Sequence, residues 1–466
     1  MEVDLPCGGL EPRFTDGPAP VCRYHPLSNP GSGKDAWQFL TYLRRSDRSS
    51  SNGGLRMEPI VERCCGLDVH QGMVVACLLV GKADERPKKE VKTFRTVTAE
   101  LLELREWLQA AGCTHVGMES TGVYWKPVYA LLEDAFDLTV GNAQHIKNVP
   151  GRKTDMKDAE WIADLLRHGL IRKSFVPPKP IRDLRDVVRY RRSVVQSRAT
   201  ERNRLLKLLE TANIKLSTFL SNVFGASGMA MLEALLDGRS TPEQMAELSK
   251  GRLRKKKADV ALALDGRFEE HHAFLLRMQL ERLKQADAQV DALDLRIEQM
   301  LAPYREQAKK LRGIHGISQV LASLLIAEMG VDMTVFKSDE HLASWAGVCP
   351  GNHESAGKRQ RGTKRKGNVH LTTALVEAAQ AAIKKKGSYL RDKFHRLKAR
   401  RGYKRALIAI AHKILIAAYH ILLEGTDYHD LGDAYLDRLS KHRTTTALVS
   451  RLERLGYNVH LEVKAA

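Results

Sequence analysis

Between residues 60 and 172, segments whose apolar residues have the pattern of a strand alternate with segments whose apolar residues have the spacing of a helix. This alternation constrains the fold more than any other feature of the chain. Short apolar runs with strand character occur five times, at residues 64–69, 74–80, 91–97, 115–119 and 138–140. Helix-like spacing occurs three times, at residues 98–110, 124–136 and 155–168. The first helix should bury a stripe made of Leu101, Leu102, Leu104 and Leu108. Strands that first meander and then alternate with helices predict a mixed β-sheet flanked by helices.

The length and charge of the chain bound its class. With 466 residues it exceeds one ordinary hydrophobic core, so we expect two or three domains. Its residues are 43% hydrophobic and 28% charged, which provides enough apolar surface for folded cores. The formal net charge is +20 and the isoelectric point is about 9.6. Because the Lys and Arg residues are clustered, a nucleic-acid partner explains this charge better than a merely well-solvated surface.

Cysteine spacing and hydropathy indicate a cytoplasmic protein. None of the seven cysteines forms a CxxC pair, so we expect reduced thiols and no zinc site. No stretch approaches the roughly 18 apolar residues that a membrane span needs, so no membrane partner is expected. The N-terminus also lacks the basic and apolar regions of a signal peptide.

Composition shifts suggest five segments. Residues 1–58 are rich in Pro, Gly and Ser, and we expect a disordered leader or an upstream extension of the reading frame. The α/β pattern occupies residues 59–176 and ends at a proline-rich break. Helical periodicity then covers residues 177–310. A mostly α-helical C-terminal domain is expected over 311–425, followed by a peripheral tail at 426–466.

Two features of the helical part allow alternative interpretations. The long charged helices of residues 177–310 are typical of a coiled-coil arm used in assembly, and equally of a bundle packed within one chain. The sequence Gly313-Ile314-His315-Gly316-Ile317 resembles the turn of a helix-hairpin-helix, whose backbone amides can hold a phosphate. The same glycines also suit a plain turn between two helices.

Four carboxylates carry the main chemical signal: Asp68, Glu119, Asp155 and Asp158. Asp68 lies within an apolar strand pattern, where a carboxylate is costly unless it is paired or metal-bound. Glu119 ends another strand, and Asp155 and Asp158 should share one face of a helix. Hard oxygen ligands from several elements suit Mg²⁺ or Mn²⁺ and two-metal phosphoryl transfer. Individually, Asp155 also suits a helix N-terminus, and Glu119 also suits a solvent contact.

A second group of residues surrounds Ser355. This serine lies in a glycine-bearing loop and is followed by six basic residues within eleven positions: Lys358, Arg359, Arg361, Lys364, Arg365 and Lys366. Nearby cations would stabilise a serine alkoxide and a pentacovalent phosphorus. From spacing alone, a basic loop that only grips phosphates is the better interpretation.

The chain resembles the DEDD transposases of bacterial insertion sequences, the IS-one-ten family of bridge-RNA-guided recombinases, over about residues 62–425. The resemblance rests on motifs in matching order and spacing, at residues 66–70, 118–122, 153–159, 175–178, 313–317, 342–351 and 355–358. Two departures stand out, since Ala356-Gly357 replaces the family's common double glycine and Gln71 replaces a frequent lysine.

The resemblance implies a RuvC-like, RNase H-type domain, a helical assembly arm and a C-terminal transposase domain. It further implies that Asp68, Glu119, Asp155 and Asp158 bind Mg²⁺ and that Ser355 attacks DNA to form a phosphoserine. Active sites in the family are composite between protomers of a dimer or tetramer. Donor and target DNA are specified by a structured noncoding bridge RNA.

The resulting hypothesis is an RNA-guided DNA recombinase that excises and integrates its own element. Phosphoserine chemistry conserves bond energy, and the sequence contains no P-loop for ATP. Two alternatives stay open. One is a RuvC-like junction nuclease that hydrolyses DNA with metal-activated water, and the other is a non-catalytic nucleic-acid-binding protein.

Overall fold

The computed structural model describes residues 60–82, 85–150, 157–349 and 367–462, together with the backbone of residues 354–355 and 358–359. The expected leader therefore lies outside the described residues. The chain divides into two compact units, one ending at Ser174 and the other beginning at Phe175.

The first unit is built on a five-stranded mixed sheet, as the alternating pattern predicted. Its strands are β1 (Arg63–Val69), β2 (Met73–Val80), β3 (Lys88–Arg95), β4 (His115–Glu119) and β5 (Asp137–Gly141). They lie in the order β3-β2-β1-β4-β5. The β1–β4 and β4–β5 pairs are parallel, whereas β1–β2 and β2–β3 are antiparallel. This architecture is compatible with an α/β nuclease-like domain.

In the described part of the first unit, four helices accompany the sheet: α1 (Thr98–Ala110), α2 (Trp125–Leu132), α3 (Ala143–Lys147) and α4 (Asp158–Arg167). Three predicted stripe residues of α1 are buried, but Leu102 is 40% exposed. It directly follows Leu101, so the 100° step of a helix turns it away from the sheet.

Helix α4 begins later than its sequence pattern indicated. The predicted start at Asp155 is wrong, because Lys157 has extended backbone angles (φ −65°, ψ 151°) and caps a helix that starts at Asp158. Asp155 itself lies outside the described residues. The expectation that Asp155 and Asp158 share one helical face is therefore not tested by the described residues.

The second unit opens with two long helices, α5 (Lys179–Thr211) and α10 (Glu270–Leu301), which pack against each other. Arg191 Nη2 lies 2.8 Å from Asp294 Oδ2, and Arg198 Nη1 lies 2.6 Å from Asp287 Oδ1. The later residue of α5 pairs with the earlier residue of α10, so the two helices are antiparallel. This is packing within one chain, as one of the two interpretations held, and each helix is about 50 Å long at 1.5 Å per residue.

Short helices between the two long ones form a separate apolar cluster at the far end of the pair. They are α6 (Leu216–Phe219), α7 (Ala226–Asp237), α8 (Pro242–Glu247) and α9 (Lys257–Leu264), with a 3₁₀ turn at Gly251–Lys256. The cluster includes Leu205 and Leu209 of α5 and Leu276 and Leu280 of α10. The long helices thus carry one core at each end, because Ile181 and Leu184 of α5 belong to the core of the C-terminal helices.

The C-terminal part is mostly helical, as expected. Its helices are α11 (Arg305–Gly313), α12 (Gln319–Met329), α13 (Asp339–Ala346), α14 (Val369–Ala382), α15 (Tyr389–Arg401), α16 (Tyr403–Glu424), α17 (Tyr435–Leu439) and α18 (Lys441–Glu453), with 3₁₀ turns at Ala302–Tyr304 and Met333–Val335. Two short strands, β6 (Glu354–Ser355) and β7 (Lys358–Arg359), pair antiparallel.

The turn between α11 and α12 has a packing explanation. Gly316 has φ +93°, and a Cβ on it would lie 2.1 Å from the carbonyl oxygen of Ala378 in α14. Its conformation and the close approach both require glycine. The plain helix–helix turn therefore accounts for Gly316 without a bound phosphate.

Helix α16 corrects the expectation that no segment is long and apolar enough for a membrane span. By length and composition Tyr403–Glu424 passes that test, although half of the relevant window is buried inside the fold. Ile410, Ile414 and Ala418 lie in the core of the unit. A central helix of an α-helical core is apolar around much of its surface, which explains the composition.

Candidate functional site

Strands β1 and β4 place two of the predicted acids side by side. The parallel register pairs Gly66 with Gly117 and Leu67 with Met118, and its next step sets Asp68 opposite Glu119. Side chains alternate between the faces of a strand, so Asp68 shares a face with Gly66, and Glu119 shares one with Gly117. Both glycines face helix α4, since a Cβ on Gly66 would meet Ala159 and one on Gly117 would meet Ile162. The two carboxylates therefore point to the same face of the sheet, at the carboxyl ends of the strands.

Helix α4 brings Asp158 to that edge. A Cβ on Gly66 would lie 2.3 Å from both the carbonyl oxygen of Ala159 and the amide of Ala163, so the helix backbone rests directly on the strand. The Sγ of Cys64 lies 3.6 Å from the carbonyl oxygen of Ala163. Ala159 thus lies over Gly66, whereas Ala163, one turn further along the helix, reaches back to Cys64. Helix α4 therefore runs antiparallel to β1. Its first residue, Asp158, consequently lies near the end of β1 that carries Asp68.

The three described acids have different surroundings. The side chain of Asp68 is 26% exposed, and its Oδ2 lies 3.1 Å from His70 Nε2. Glu119 accepts a hydrogen bond from the hydroxyl of Thr121 in the following turn. Asp158 is exposed in the first turn of α4, where a negative charge also stabilises the helix dipole. Asp68 is the hardest of the three to explain by structure alone.

The donor chemistry of this edge suits a hard divalent cation, because every contributed atom is a carboxylate oxygen. Asp68, Glu119 and Asp158 lie at one edge of the sheet, but their carboxylate oxygens do not all lie within 4.8 Å of one another. In the described part of the chain, the group of three acidic, histidine or cysteine side chains whose ligand atoms all lie within 4.8 Å is Glu269, His271 and His272.

That histidine group has a local structural role. The backbone amide of Glu269 donates to His272 Nδ1 at 3.2 Å, and the two residues form a capping box at the start of α10. Because His272 is already used as a cap, the acids at the sheet edge remain the better candidate for a metal centre.

The backbone sets the register of the predicted serine. Strands β6 and β7 pair Ser355 with Lys358 and Glu354 with Arg359. The serine and the first of the predicted phosphate-binding cations are thus cross-strand partners in a short hairpin. Arg361, Lys364, Arg365 and Lys366 lie outside the described residues.

The segment that carries Ser355 leaves and re-enters the C-terminal core at one place. A Cβ on Gly367 would lie 2.5 Å from the amide nitrogen of Gly347, so the two ends of the segment touch. The hydroxyl of Thr372 donates to the carbonyl oxygen of Ala346 at 2.7 Å. The amide of Leu371 donates to Asn368 Oδ1 at 3.1 Å, which caps helix α14 just after the segment.

A buried carboxylate, which the sequence analysis missed, holds this junction. Glu328 has a fully buried side chain and receives Arg189 Nε and Nη2 at 2.7 Å each. It also accepts a hydrogen bond from Asn368 Nδ2 at 2.6 Å. Arg185 bonds the carbonyl oxygens of Ala327 and Glu328 at 2.9 and 2.7 Å. The signal in the sequence was a lone acid in the apolar run of residues 319–329.

Electrostatics at Glu328 favour the charged form. Burial alone raises the pKa of Glu328, but the hydrogen bonds from Arg189 and Asn368 and the nearby guanidinium charges outweigh it, and the pKa is lowered overall. Burial lowers the pKa of Arg185 in the same cluster. The long helix α5 and the end of the serine segment are thus joined through one ionised carboxylate.

Five cysteines lie in the described part of the chain. Cys64, Cys65, Cys77 and Cys113 are buried free thiols, and Cys349 is partly buried. Burial raises the pKa of Cys64 to about 12 and that of Cys77 to about 11. These thiols are therefore protonated packing groups at neutral pH.

Comparison with known proteins agrees with both halves of this description. Residues 65–214 match the DEDD transposase model of the IS110 type, described as "Transposase". Residues 308–395 match a model described as "Transposase IS116/IS110/IS902 family". The first match contains Asp68, Glu119, Asp155 and Asp158, and the second contains Ser355.

A curated relative gives the same result at lower coverage. The "Putative transposase y4pF/y4sB" of Sinorhizobium fredii (strain NBRC 101917 / NGR234) is 26% identical over 213 residues, which are 44% of this chain and 48% of that protein. The chain therefore spans about half the length of this relative. Together, the two family matches cover the sheet-edge acids and the serine segment, and the chain belongs to the IS110 family of transposases.

Proposed function

We propose that this chain is a metal-dependent DNA strand-transfer enzyme that uses Ser355 as its nucleophile and the acidic tetrad as its metal ligands. The observation that supports it best is the convergence of Asp68, Glu119 and Asp158 at the carboxyl edge of the sheet. DEDD transposases generally use a divalent metal. Mg²⁺ or Mn²⁺ held there, with Asp155 as a fourth ligand, would stabilise negative charge on the reacting phosphate.

The proposed step conserves a phosphoester bond. The Oγ of Ser355 forms a bond to a DNA phosphorus, and the bond from that phosphorus to one deoxyribose oxygen breaks. The leaving oxygen takes up a proton and becomes a hydroxyl, and the serine proton passes to solvent. Attack by the hydroxyl of another strand reverses these changes and releases the serine, so no ATP is consumed.

Basic residues around the serine would hold the DNA in place. Lys358 pairs with Ser355 across the short hairpin, and Arg359 follows it on the same strand. We assign Arg361, Lys364, Arg365 and Lys366 to the same phosphate-binding role, because they continue the basic run. The wider resemblance supports a bridge RNA as guide, and a dimer or tetramer whose active sites combine acids and serine from different protomers.

The test is to trap the covalent intermediate. Full-length protein, purified with its associated RNA and supplied with Mg²⁺, is incubated with labelled donor and target DNA and separated under denaturing conditions. We expect a protein–DNA adduct that Ser355→Ala abolishes. Ser193→Ala removes an exposed hydroxyl from α5 and serves as the matched control.

Three outcomes would overturn parts of this proposal. An adduct that persists in Ser355→Ala would remove the serine from its role. Cleavage without any adduct, surviving Ser355→Ala, would favour hydrolysis by water at the acidic site. Absence of cleavage with folded protein and intact RNA would favour a non-catalytic binding protein. Sequencing the co-purified RNA tests the guide separately.

A further inference from the structure

A groove lies between α15 on one side and α17 and α18 on the other, and it has no part in the chemistry proposed above. Its volume is about 510 Å³, and twelve residues line it, five of them basic and none acidic. Apart from Lys393, these residues lie beyond residue 395, where the second family match ends. The groove therefore needs an explanation of its own.

One of the five cations is used to hold the walls together. Arg396 of α15 donates from Nη2 to Asp437 of α17 at 2.7 Å and from Nε to Asp392 at 2.8 Å. The hydrogen bond that Arg396 donates to Asp437 raises the pKa of Arg396. This residue braces the groove and is not counted as a ligand.

The other four cations have no acidic partner within the described residues. Arg400, Arg443 and Arg451 are exposed, and Lys393 lies with its Nζ 5.4 Å from the ring centre of Tyr389. Positions 393 and 400 are seven apart on α15, and positions 443 and 451 are eight apart on α18, so each pair shares a helical face. Like charges facing one another across a groove repel, and an anion placed between them removes that cost.

Exposed leucines line the groove beside the cations. Leu439 is 68% exposed and Leu448 is 57% exposed, and Leu397 lines the same space. A lining that combines cations with exposed leucines matches a single nucleic-acid strand, whose phosphates are charged and whose bases and sugars present apolar faces. A duplex turns its bases inward and offers mainly its backbone, so it would leave the leucines without a partner.

We propose that this groove binds an unpaired DNA strand, with Lys393, Arg400, Arg443 and Arg451 on its phosphates. The choice of DNA rests on the family, because a transposase acts on DNA, and strand exchange requires strands to separate. The groove would then hold a strand that is displaced during exchange.

The test measures binding without chemistry. Full-length Ser355→Ala protein, in buffer without divalent metal, is titrated against fluorescent oligo-dT at several salt concentrations. Neutralising Arg400, Arg443 and Arg451 together with Gln should weaken binding about tenfold or more at low salt. The plot of the logarithm of the association constant against the logarithm of the salt concentration has a negative slope. The magnitude of this slope should decrease by about 2, at about 0.7 per lost phosphate contact.

The matched control has the same net charge as the groove variant, because it also replaces three Arg residues with Gln. Arg239, Arg252 and Arg277 are exposed elsewhere in the same unit, and their triple Gln variant should retain nearly wild-type affinity. Leu448→Glu introduces a negative charge into the groove and should weaken binding as well. Thermal melting confirms that every variant is folded.

Four results would overturn the inference. The first two are an unchanged affinity and salt slope in the groove variant, and an equal loss of affinity in the control variant. The third is an unchanged affinity in Leu448→Glu. The fourth is a larger loss of affinity for oligo-U than for oligo-dT in the groove variant, which would assign the groove to RNA. Because the assay uses a protein without the serine, it succeeds or fails independently of the adduct experiment.

Discussion

Gly66 of strand β1 supports the backbone of Ala159 in helix α4 so closely that a Cβ on the glycine would lie 2.3 Å from the alanine carbonyl oxygen. This approach fixes the first turn of α4, and with it Asp158, at the edge where Asp68 and Glu119 end their strands. The candidate metal centre therefore depends on a residue that carries no functional group.

Gly66→Ala should destabilise the first unit by about 3 kcal/mol, because a methyl group at this contact forces the helix from the sheet. Strand cleavage should fall with it, since Asp158 moves with the helix. Chemical denaturation measures the loss. Gly72→Ala is the matched control, because nothing lies within 4 Å of its Cβ position, and a change within about 0.5 kcal/mol is expected there. Equal effects at both positions would contradict the proposed contact.

Asp68→Asn should reduce strand cleavage by at least about 10²-fold while the protein stays folded. The amide keeps the shape of the side chain and can still accept a hydrogen bond from His70, but it loses the charge that a metal ligand needs. Cleavage kinetics and thermal melting are measured side by side. Asp134→Asn, at an exposed position of the same unit, should retain full activity. Cleavage near the wild-type rate in Asp68→Asn would argue against metal binding at this edge.

Glu328→Gln should cost about 3–5 kcal/mol of stability, because it leaves the guanidinium of Arg189 beside a buried neutral amide. Urea denaturation measures the cost. Glu377→Gln removes the partner of Arg192, but the side chain of Glu377 is 49% exposed, and a loss below about 1 kcal/mol is expected. Similar losses in the two variants would show that burial does not set the strength of the Glu328 cluster.

The lowered pKa of Glu328 has a definite consequence for pH dependence. Its contribution to stability is present above the ordinary glutamate pKa of 4.5 and is lost as the pH falls through the lower folded value. Acid titration should therefore unfold the wild type more steeply below pH 4.5 than Glu328→Gln.

The buried thiols predict a loss of stability at high pH. Burial raises the pKa of Cys77 to about 11 and that of Cys113 to about 11, from an ordinary value of 9.0. Their contribution is present below pH 9 and disappears as the pH rises from 9 toward 11, because the unfolded chain releases thiol protons that the folded chain retains. Denaturation series between pH 8 and 11 test this, and Cys77→Ala should reduce the slope. A slope that is unchanged in Cys77→Ala would place the alkaline effect elsewhere.

The sheet could be predicted from sequence because its signals are local. An apolar run such as Met73–Val80, or the acid that ends β4, can be recognised from a few adjacent residues alone. The start of α4 was missed for a different reason, since its acidic first turn continues a polar stretch that offers no sharp boundary. Helix α16 was missed as an apolar segment because Lys404, Arg405 and Lys413 interrupt its run of apolar residues, which supply the core.

Contacts between distant residues could not be read in this way. Glu328 and Arg189 are 139 positions apart, and Arg396 and Asp437 are 41 apart, so neither pair leaves a local pattern. A lone acid in an apolar helix signals that a partner exists, but its identity depends on how the helices pack. The candidate ligands were therefore predictable as residue types, and the contacts that position them were not.

The touching ends of the serine segment, at Gly347 and Gly367, have a consequence for how such a protein can change. Each doubling of the length of a loop costs only about 0.6 kcal/mol in closure entropy, because this cost grows with the logarithm of the length. The segment that carries Ser355 can therefore be exchanged or lengthened while the helices on either side of it keep their packing. Under the role proposed for Ser355, new specificities for DNA joining can arise in this segment without a new fold.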